Sequence, residues 1–113
     1  MPFPPPADHR VSLREATEMV KRFRSSTAAQ ALGKAGPAGA FRGGMLPRAA
    51  VEELLAQKGC EGIRIYHAQL DDGVPTLVLV GVDKEADDMT DGVILEKFYP
   101  CPPYCPSNSP LDS

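Results

Sequence analysis

Two of the three cysteines, Cys101 and Cys105, lie in the run Tyr99-Pro-Cys-Pro-Pro-Tyr-Cys-Pro, where thiol chemistry meets proline stiffness. Paired cysteines form disulfides, exchange them, or hold a soft metal. The spacing here is C-x3-C, not the C-x2-C of thioredoxin-like redox sites or zinc knuckles. Pro102, Pro103 and Pro106 hold the residues before them extended. In polyproline geometry four residues span about 12 Å, whereas a disulfide needs Cα atoms about 4.4–6.8 Å apart. Bridging the pair therefore requires a turn at Pro103-Tyr104 or a cis proline. A bridge from Cys60 to either one would close a loop of about 40 residues and add about 4 kcal/mol on the chain-entropy account. Cys60, His67, Cys101 and Cys105 have the ligand types of a zinc site, without a tight pair spacing. The plainest expectation is a rigid segment with reduced thiols, in which Tyr99, Cys101, Pro102, Pro103, Tyr104 and Cys105 form a binding surface.

Other chemistry-bearing residues point less far. Cys60 follows Gly59 at a helix end, where the dipole is negative and disfavours a thiolate. His67 sits between Ile65 and Gln69 on a strand face, and no Asn or Asp is placed to orient its ring for work with Cys60. The acidic stretch Asp83-Lys-Glu-Ala-Asp-Asp-Met-Thr-Asp-Gly92 fails as a calcium loop. A frame starting at Asp87 puts Met89 third and Phe98 twelfth, where oxygen ligands belong. It reads as an exposed charged turn. Gly33-Lys-Ala35 lacks both the spaced upstream glycine and the following Ser/Thr of a phosphate loop.

The elements that must position these residues are few. Ser12 and Glu15 have capping-box spacing, and Leu13, Ala16, Met19, Val20 and Phe23 follow at helical spacing. This predicts a helix over 13–24, which Ala28, Ala29 and Ala31 could extend. Residues 26–45 are rich in Gly and Ala and read as a linker or surface loop. Pro47 suits the first position of a second helix over about 47–57, and Gly59 suits the left-handed position beyond its end. Gly62–Gln69 alternates as a half-buried strand, Asp71-Asp72-Gly73 is a hairpin signal, and Thr76–Val82 is apolar on both faces and central. Val93–Tyr99 is a third strand, ended by the proline run. The expected fold is α+β: a small antiparallel sheet of about three strands with two helices on one face. Residues 1–11 read as a proline-rich disordered arm, 12–100 as one domain, and 101–113 as a Cys/Pro-rich tail.

The totals bound the function. The chain has 113 residues, 12 prolines and a net charge of −3, which argues against generic nucleic-acid binding. The basic residues Arg14, Lys21, Arg22 and Arg24 share a helix with Glu15 and Glu18, as a solvated face does. No apolar run reaches the roughly 20 residues of a membrane helix. The start lacks a secretory pattern, so a cytoplasmic chain with mostly reduced thiols is expected. A foldable part of roughly 70 residues buries only about 60% of its unfolded surface. Two open sheet edges would remain, and pairing between copies would cover one of them.

From Gly59 onward the chain resembles a group of small uncharacterised bacterial proteins. The resemblance is carried by Gly59-Cys-Glu-Gly-Ile-Arg-Ile-Tyr66, Leu77-Val-Leu-Val-Gly-Val-Asp83 and the Pro-Cys-Pro-Pro-Tyr-Cys-Pro end. It implies a common small domain to which the cysteine-proline terminus belongs. It brings no established activity with it.

Without a credible catalytic cluster, phosphate loop or basic patch, the sequence leans away from an enzyme and from any cofactor. It supports a small non-enzymatic protein-interaction module, a homo-oligomer or the binder of a protein partner, with the Cys/Pro segment packed on or extending its binding surface. The alternative is a thiol redox or zinc site built on the C-terminal cysteines.

Overall fold

The computed structural model describes residues 3–26 and 43–112. Its first helix, α1 (Leu13–Arg24), starts as the sequence predicts. The Ser12 hydroxyl accepts the Glu15 amide at 3.0 Å, and the Glu15 carboxylate accepts the Ser12 amide at 3.2 Å. Two otherwise unpaired donors of the first turn are thereby satisfied. Lys21, Arg22 and Arg24 lie in the last turn, where the helix dipole favours cations. The extension through Ala28, Ala29 and Ala31, the Gly33-Lys-Ala35 stretch and most of the Gly/Ala-rich loop fall outside the described residues. The last three residues of that loop, Gly43–Met45, form strand β1.

Helix α2 (Arg48–Leu55) is shorter than the predicted 47–57, and Pro47 precedes it as the extended N-cap residue. Gly59 has φ +87°, the left-handed turn expected beyond the helix. Strands β2 (Gly62–Gln69) and β3 (Pro75–Val82) pair antiparallel in unbroken register from Gly62↔Val82 to Gln69↔Pro75. The Asp-Asp-Gly turn joins them. The Leu70 amide donates to the Val74 carbonyl at 2.8 Å, the Val74 amide to the Asp72 carboxylate at 3.0 Å, and Gly73 takes φ +91°.

The predicted third strand is in fact two. Strand β4 (Ile94–Leu95) pairs with β3, and β5 (Tyr99–Cys101) pairs with β1 in a separate two-stranded sheet. Between them Lys97 adopts φ +43°, which turns the chain out of the first sheet. The proline run does not end the strand: Pro100 sits inside β5 opposite Gly44. A strand with only one neighbour can leave a missing N–H on its open side.

An α+β domain with a three-stranded antiparallel sheet, in the order β2-β3-β4, is therefore present as expected. The helices, expected on one face, divide between the two. Val78 and Val80 of β3, with Tyr66, Ala68 and Ile94, pack with Ala16, Met19 and Val20 of α1. Leu79, with Ile63, Val93 and Leu95, packs with Ala50 and Leu54 of α2. The cause is the period of two in an all-apolar central strand, which offers both faces for burial. Helix α2 lies over β3 and β4, and Ile65 on β2 stays 59% exposed.

The arm, too, departs from expectation. Residues 3–11 are docked, not disordered. His9 and Val11 are buried, and the arm runs antiparallel beside β4 through an Arg10↔Leu95 bridge. The Val11 amide donates to the Ile94 carbonyl at 3.0 Å and the Glu96 amide to the His9 carbonyl at 2.9 Å.

Candidate functional site

Among the described residues the sheet has one covered edge and one open edge. The arm covers β4. On the other side lies β2, eight residues long, whose ladder partner is β3. Leu70 pairs with Val74 through its backbone amide. Alternation then directs the amides and carbonyls of Arg64, Tyr66 and Ala68 toward β3, and those of Ile63, Ile65, His67 and Gln69 away from it. The Gln69 carbonyl bears this out: it accepts Arg22 Nη1 of α1 at 2.8 Å. One turn of α1 thus caps the far end of the edge. There Phe23 stacks on His67, with ring centroids 5.3 Å apart and planes 21° from parallel. His67 is exposed and placed by an aromatic partner, with no nucleophile in this contact. No backbone partner meets the outward groups of Ile63, Ile65 and His67 among the described residues.

The expected binding segment lies elsewhere, with the arm. Tyr99 is buried, and its hydroxyl donates to the Pro5 carbonyl at 2.8 Å. Its ring meets Phe3 at 5.9 Å, His9 at 4.7 Å and Tyr104 at 5.4 Å. His9 Nδ1 lies 2.6 Å from the Lys97 carbonyl, which can only accept, so this nitrogen carries the proton. His9 Nε2 is buried without a hydrogen-bond partner among the described residues. Sequence reasoning missed His9, because a proline-rich arm shows no periodicity that would bury one of its residues.

Cys101 and Cys105 are joined as a disulfide with Cα atoms 4.8 Å apart. This corrects the expectation of reduced thiols. The turn that the spacing demands is present. The Tyr104 amide donates to the Pro100 carbonyl at 2.8 Å and the Cys105 amide to the Pro103 carbonyl at 2.9 Å. The Cys101-Pro102 and Pro102-Pro103 bonds are cis. Cys101 is buried, Pro102, Tyr104 and Cys105 are half-buried, and Pro103 is exposed.

The four-residue zinc set is not assembled. Cys60 is the free cysteine; its thiol lies 3.3 Å from the Gly62 carbonyl and packs beside α2. His67 is on β2 with Phe23. The cysteine pair has a different companion, Asp112, whose Oδ1 is 3.9 Å from Cys101 Sγ. All three ligand atoms lie within 4.8 Å of one another. A 3₁₀ turn, Pro110–Asp112, delivers this carboxylate. The Ser109 hydroxyl accepts the Leu111 amide at 3.1 Å, and Pro110 follows it at the first position of the turn. That Ser-Pro start was legible as a helix-initiation signal; the fold-back onto the cysteines was not. Beside the pair, Phe3, Gly44, Met45, Tyr104 and Leu111 line a hollow of about 530 Å³.

A second polar cluster joins β2 to the acidic loop. Arg64 Nη1 donates to Asp88 Oδ1 at 2.6 Å, and the Tyr66 hydroxyl donates to Asp88 Oδ2. That hydrogen bond, then burial and the Asp88 charge, holds the Tyr66 hydroxyl above its ordinary pKa. The Asp88 hydrogen bond and charge likewise raise the Arg64 guanidinium. Asp83 meanwhile accepts the amides of Glu85 at 2.9 Å and Asp87 at 3.1 Å, so one carboxylate of the loop braces its own backbone. Above this cluster a hollow of about 230 Å³ opens between α1 and the sheet, lined by Leu13, Val20, Val78, Tyr66 and Asp88.

No described helix is long and apolar enough to cross a membrane. Compared with family models, curated proteins and solved structures, the chain matches none.

Proposed function

We propose that this chain is a small protein-interaction module that self-associates by pairing the open edge of β2 with β2 of a second copy. The observation that carries the reading is the asymmetry of the sheet. The arm takes the β4 edge, while β2 keeps outward amides and carbonyls at Ile63, Ile65 and His67. An exposed, regular edge strand is a template for another strand. Ile65, 59% exposed, adds apolar surface beside those polar groups. A small domain gains from enlarging its core in this way.

A two-fold axis at Ile65 sets that residue opposite its own counterpart and Ile63 opposite His67. The Gln69 carbonyl then keeps its bond to Arg22. Such an interface is self-complementary, as a two-fold dimer requires. The Cys/Pro segment serves the opposite side of the domain. Through Tyr99 it fastens the arm that blocks the second edge, and so limits association to one surface.

Light scattering on the full chain tests the reading. Wild type is expected to run as a dimer, and Ile65→Pro as a monomer with an unchanged circular dichroism spectrum. Proline at 65 removes only an outward N–H and leaves the β3 ladder intact. A wild type that stays monomeric at high micromolar concentration, or an Ile65→Pro variant that stays dimeric, refutes it.

A further inference from the structure

We infer that Cys101, Cys105 and Asp112 form a soft-metal site in the reduced chain, one that the disulfide replaces on oxidation. The inference does not depend on self-association at β2. It starts from the position of Asp112. Its Oδ1 lies 3.9 Å from Cys101 Sγ, in one cluster with both sulfurs. With the bridge open, the same three side chains supply two thiolates and a carboxylate, the anionic N/O/S type of donor that zinc takes.

The distances fit. At Zn–S of about 2.3 Å and Zn–O of about 2.0–2.2 Å, a tetrahedral centre sets sulfur and oxygen about 3.6 Å apart and the two sulfurs about 3.8 Å apart. The sulfur–oxygen distance is already 3.9 Å, and all three ligand atoms lie within 4.8 Å of one another. The cysteine Cα atoms are 4.8 Å apart, so the sulfurs can separate to the metal distance by side-chain rotation alone. Local structure holds each donor in place: the Tyr104 and Cys105 amide bonds fix the loop, and the Ser109-capped turn fixes Asp112. Three protein ligands leave the fourth position to water or an outside donor, toward the hollow lined by Tyr104 and Leu111.

The exchange balances. A dithiol reductant gives two electrons and two protons to the disulfide, which opens to two thiols while the reductant becomes a disulfide. Zinc then displaces the two thiol protons. In the other direction, a small-molecule disulfide accepts two electrons from the two thiolates and two protons from solvent. It leaves as two thiols, the protein disulfide forms, and the zinc ion is released. The site is thus a redox-controlled zinc holder.

The test uses the full chain with zinc ion as probe, and cobalt ion for coordination geometry. After reduction and removal of the reductant, wild type is expected to bind one zinc per chain, and the cobalt form to show tetrahedral thiolate spectra. Oxidised glutathione should expel the metal and leave a chain about 2 Da lighter than the reduced, metal-free one, one disulfide. Cys60→Ser should bind as wild type does. Asp112→Asn should still form the disulfide but bind zinc at least about tenfold more weakly. Reduced wild type with a native circular dichroism spectrum and no bound zinc overturns the inference. So does a reduced chain that unfolds and does not refold on zinc addition, and so does an Asp112→Asn variant that binds as tightly as wild type.

Discussion

The Val11 amide donates to the Ile94 carbonyl at 3.0 Å, which makes a proline-rich arm the outer neighbour of a β-strand. Prolines cannot donate to a ladder, so the arm offers β4 only a short bonded stretch at His9–Val11 and then stops. It covers an edge without extending the sheet. Natural proteins protect edges by such covers.

If Tyr99 fastens the arm, its hydroxyl should matter out of proportion to its size. Tyr99→Phe keeps the ring contacts with Phe3, His9 and Tyr104 and removes only the bond to the Pro5 carbonyl. The expected loss is about 0.5–1.5 kcal/mol, or a fall in Tm of about 4–8 °C per kcal/mol for a domain of this size. The variant should also release the arm, read as faster proteolysis before His9. A Tyr99→Phe chain as stable and as protease-resistant as wild type removes this residue from the account.

The α1 cap gives a prediction with a sign in pH. The Ser12 amide, and after it the Ser12 hydroxyl, holds the Glu15 carboxyl below its ordinary value of 4.5. A depressed carboxyl contributes stability above its unfolded pKa and loses it as pH falls through the lower, folded value. Ser12→Ala should cost about 1 kcal/mol at pH 7. The backbone amide of residue 12 still holds the Glu15 carboxylate in the variant, and the lost bond to the Glu15 amide does not titrate. Only the part of the cost owed to the hydroxyl's effect on the carboxylate should therefore shrink as pH falls from 4.5 through the lower, folded value. Urea midpoints at pH 7 and pH 3 check this; a cost that grows in acid contradicts the capping box.

Much of the fold was legible where the information is local. The Ser12–Glu15 pair, the Asp71-Asp72-Gly73 turn and Gly59 each state their own geometry, and all are found as read. The misses are non-local. Nothing in Gly43–Met45 has strand propensity. It becomes β1 because β5 turns out of the first sheet at Lys97 and needs a partner, and because Gly44 alone lets Phe98 approach: a Cβ there would sit 2.8 Å from the Phe98 Cβ. The division of the helices was implicit in Thr76–Val82, since a strand apolar on both faces asks for cover on both. Of the candidate site, the sequence offered a turn or a cis proline at Cys101–Cys105 as the condition for a bridge. It did not connect the arm with that loop, because contacts across about ninety residues leave no pattern in either segment, nor Asp112, because no periodicity in the eleven residues after Cys101 signals a fold-back.

Tyr66 and Asp88 predict behaviour at high pH. The hydrogen bond to Asp88 raises the Tyr66 hydroxyl above its ordinary value of 10.0. A raised acid contributes stability below its unfolded pKa and loses it as pH rises through the folded value. The stability difference between wild type and Tyr66→Phe should therefore be constant from pH 8 to 10 and decline above that. The ultraviolet tyrosinate titration of wild type should contain a late component that Tyr66→Phe lacks. An unchanged late component in the variant assigns it to another tyrosine and contradicts the Asp88 pairing.

Amide hydrogen exchange along β2, followed by NMR as the chain is diluted, tests self-association at the open edge most directly. The amides of Arg64, Tyr66 and Ala68 face β3 and should be protected at every concentration. Those of Ile63, Ile65 and His67 face outward and should be protected only in the dimer, losing that protection together as the mass falls to that of a monomer. Fast exchange at Ile63, Ile65 and His67 in a sample shown to be dimeric would contradict the account, because the copies would then meet on some other surface.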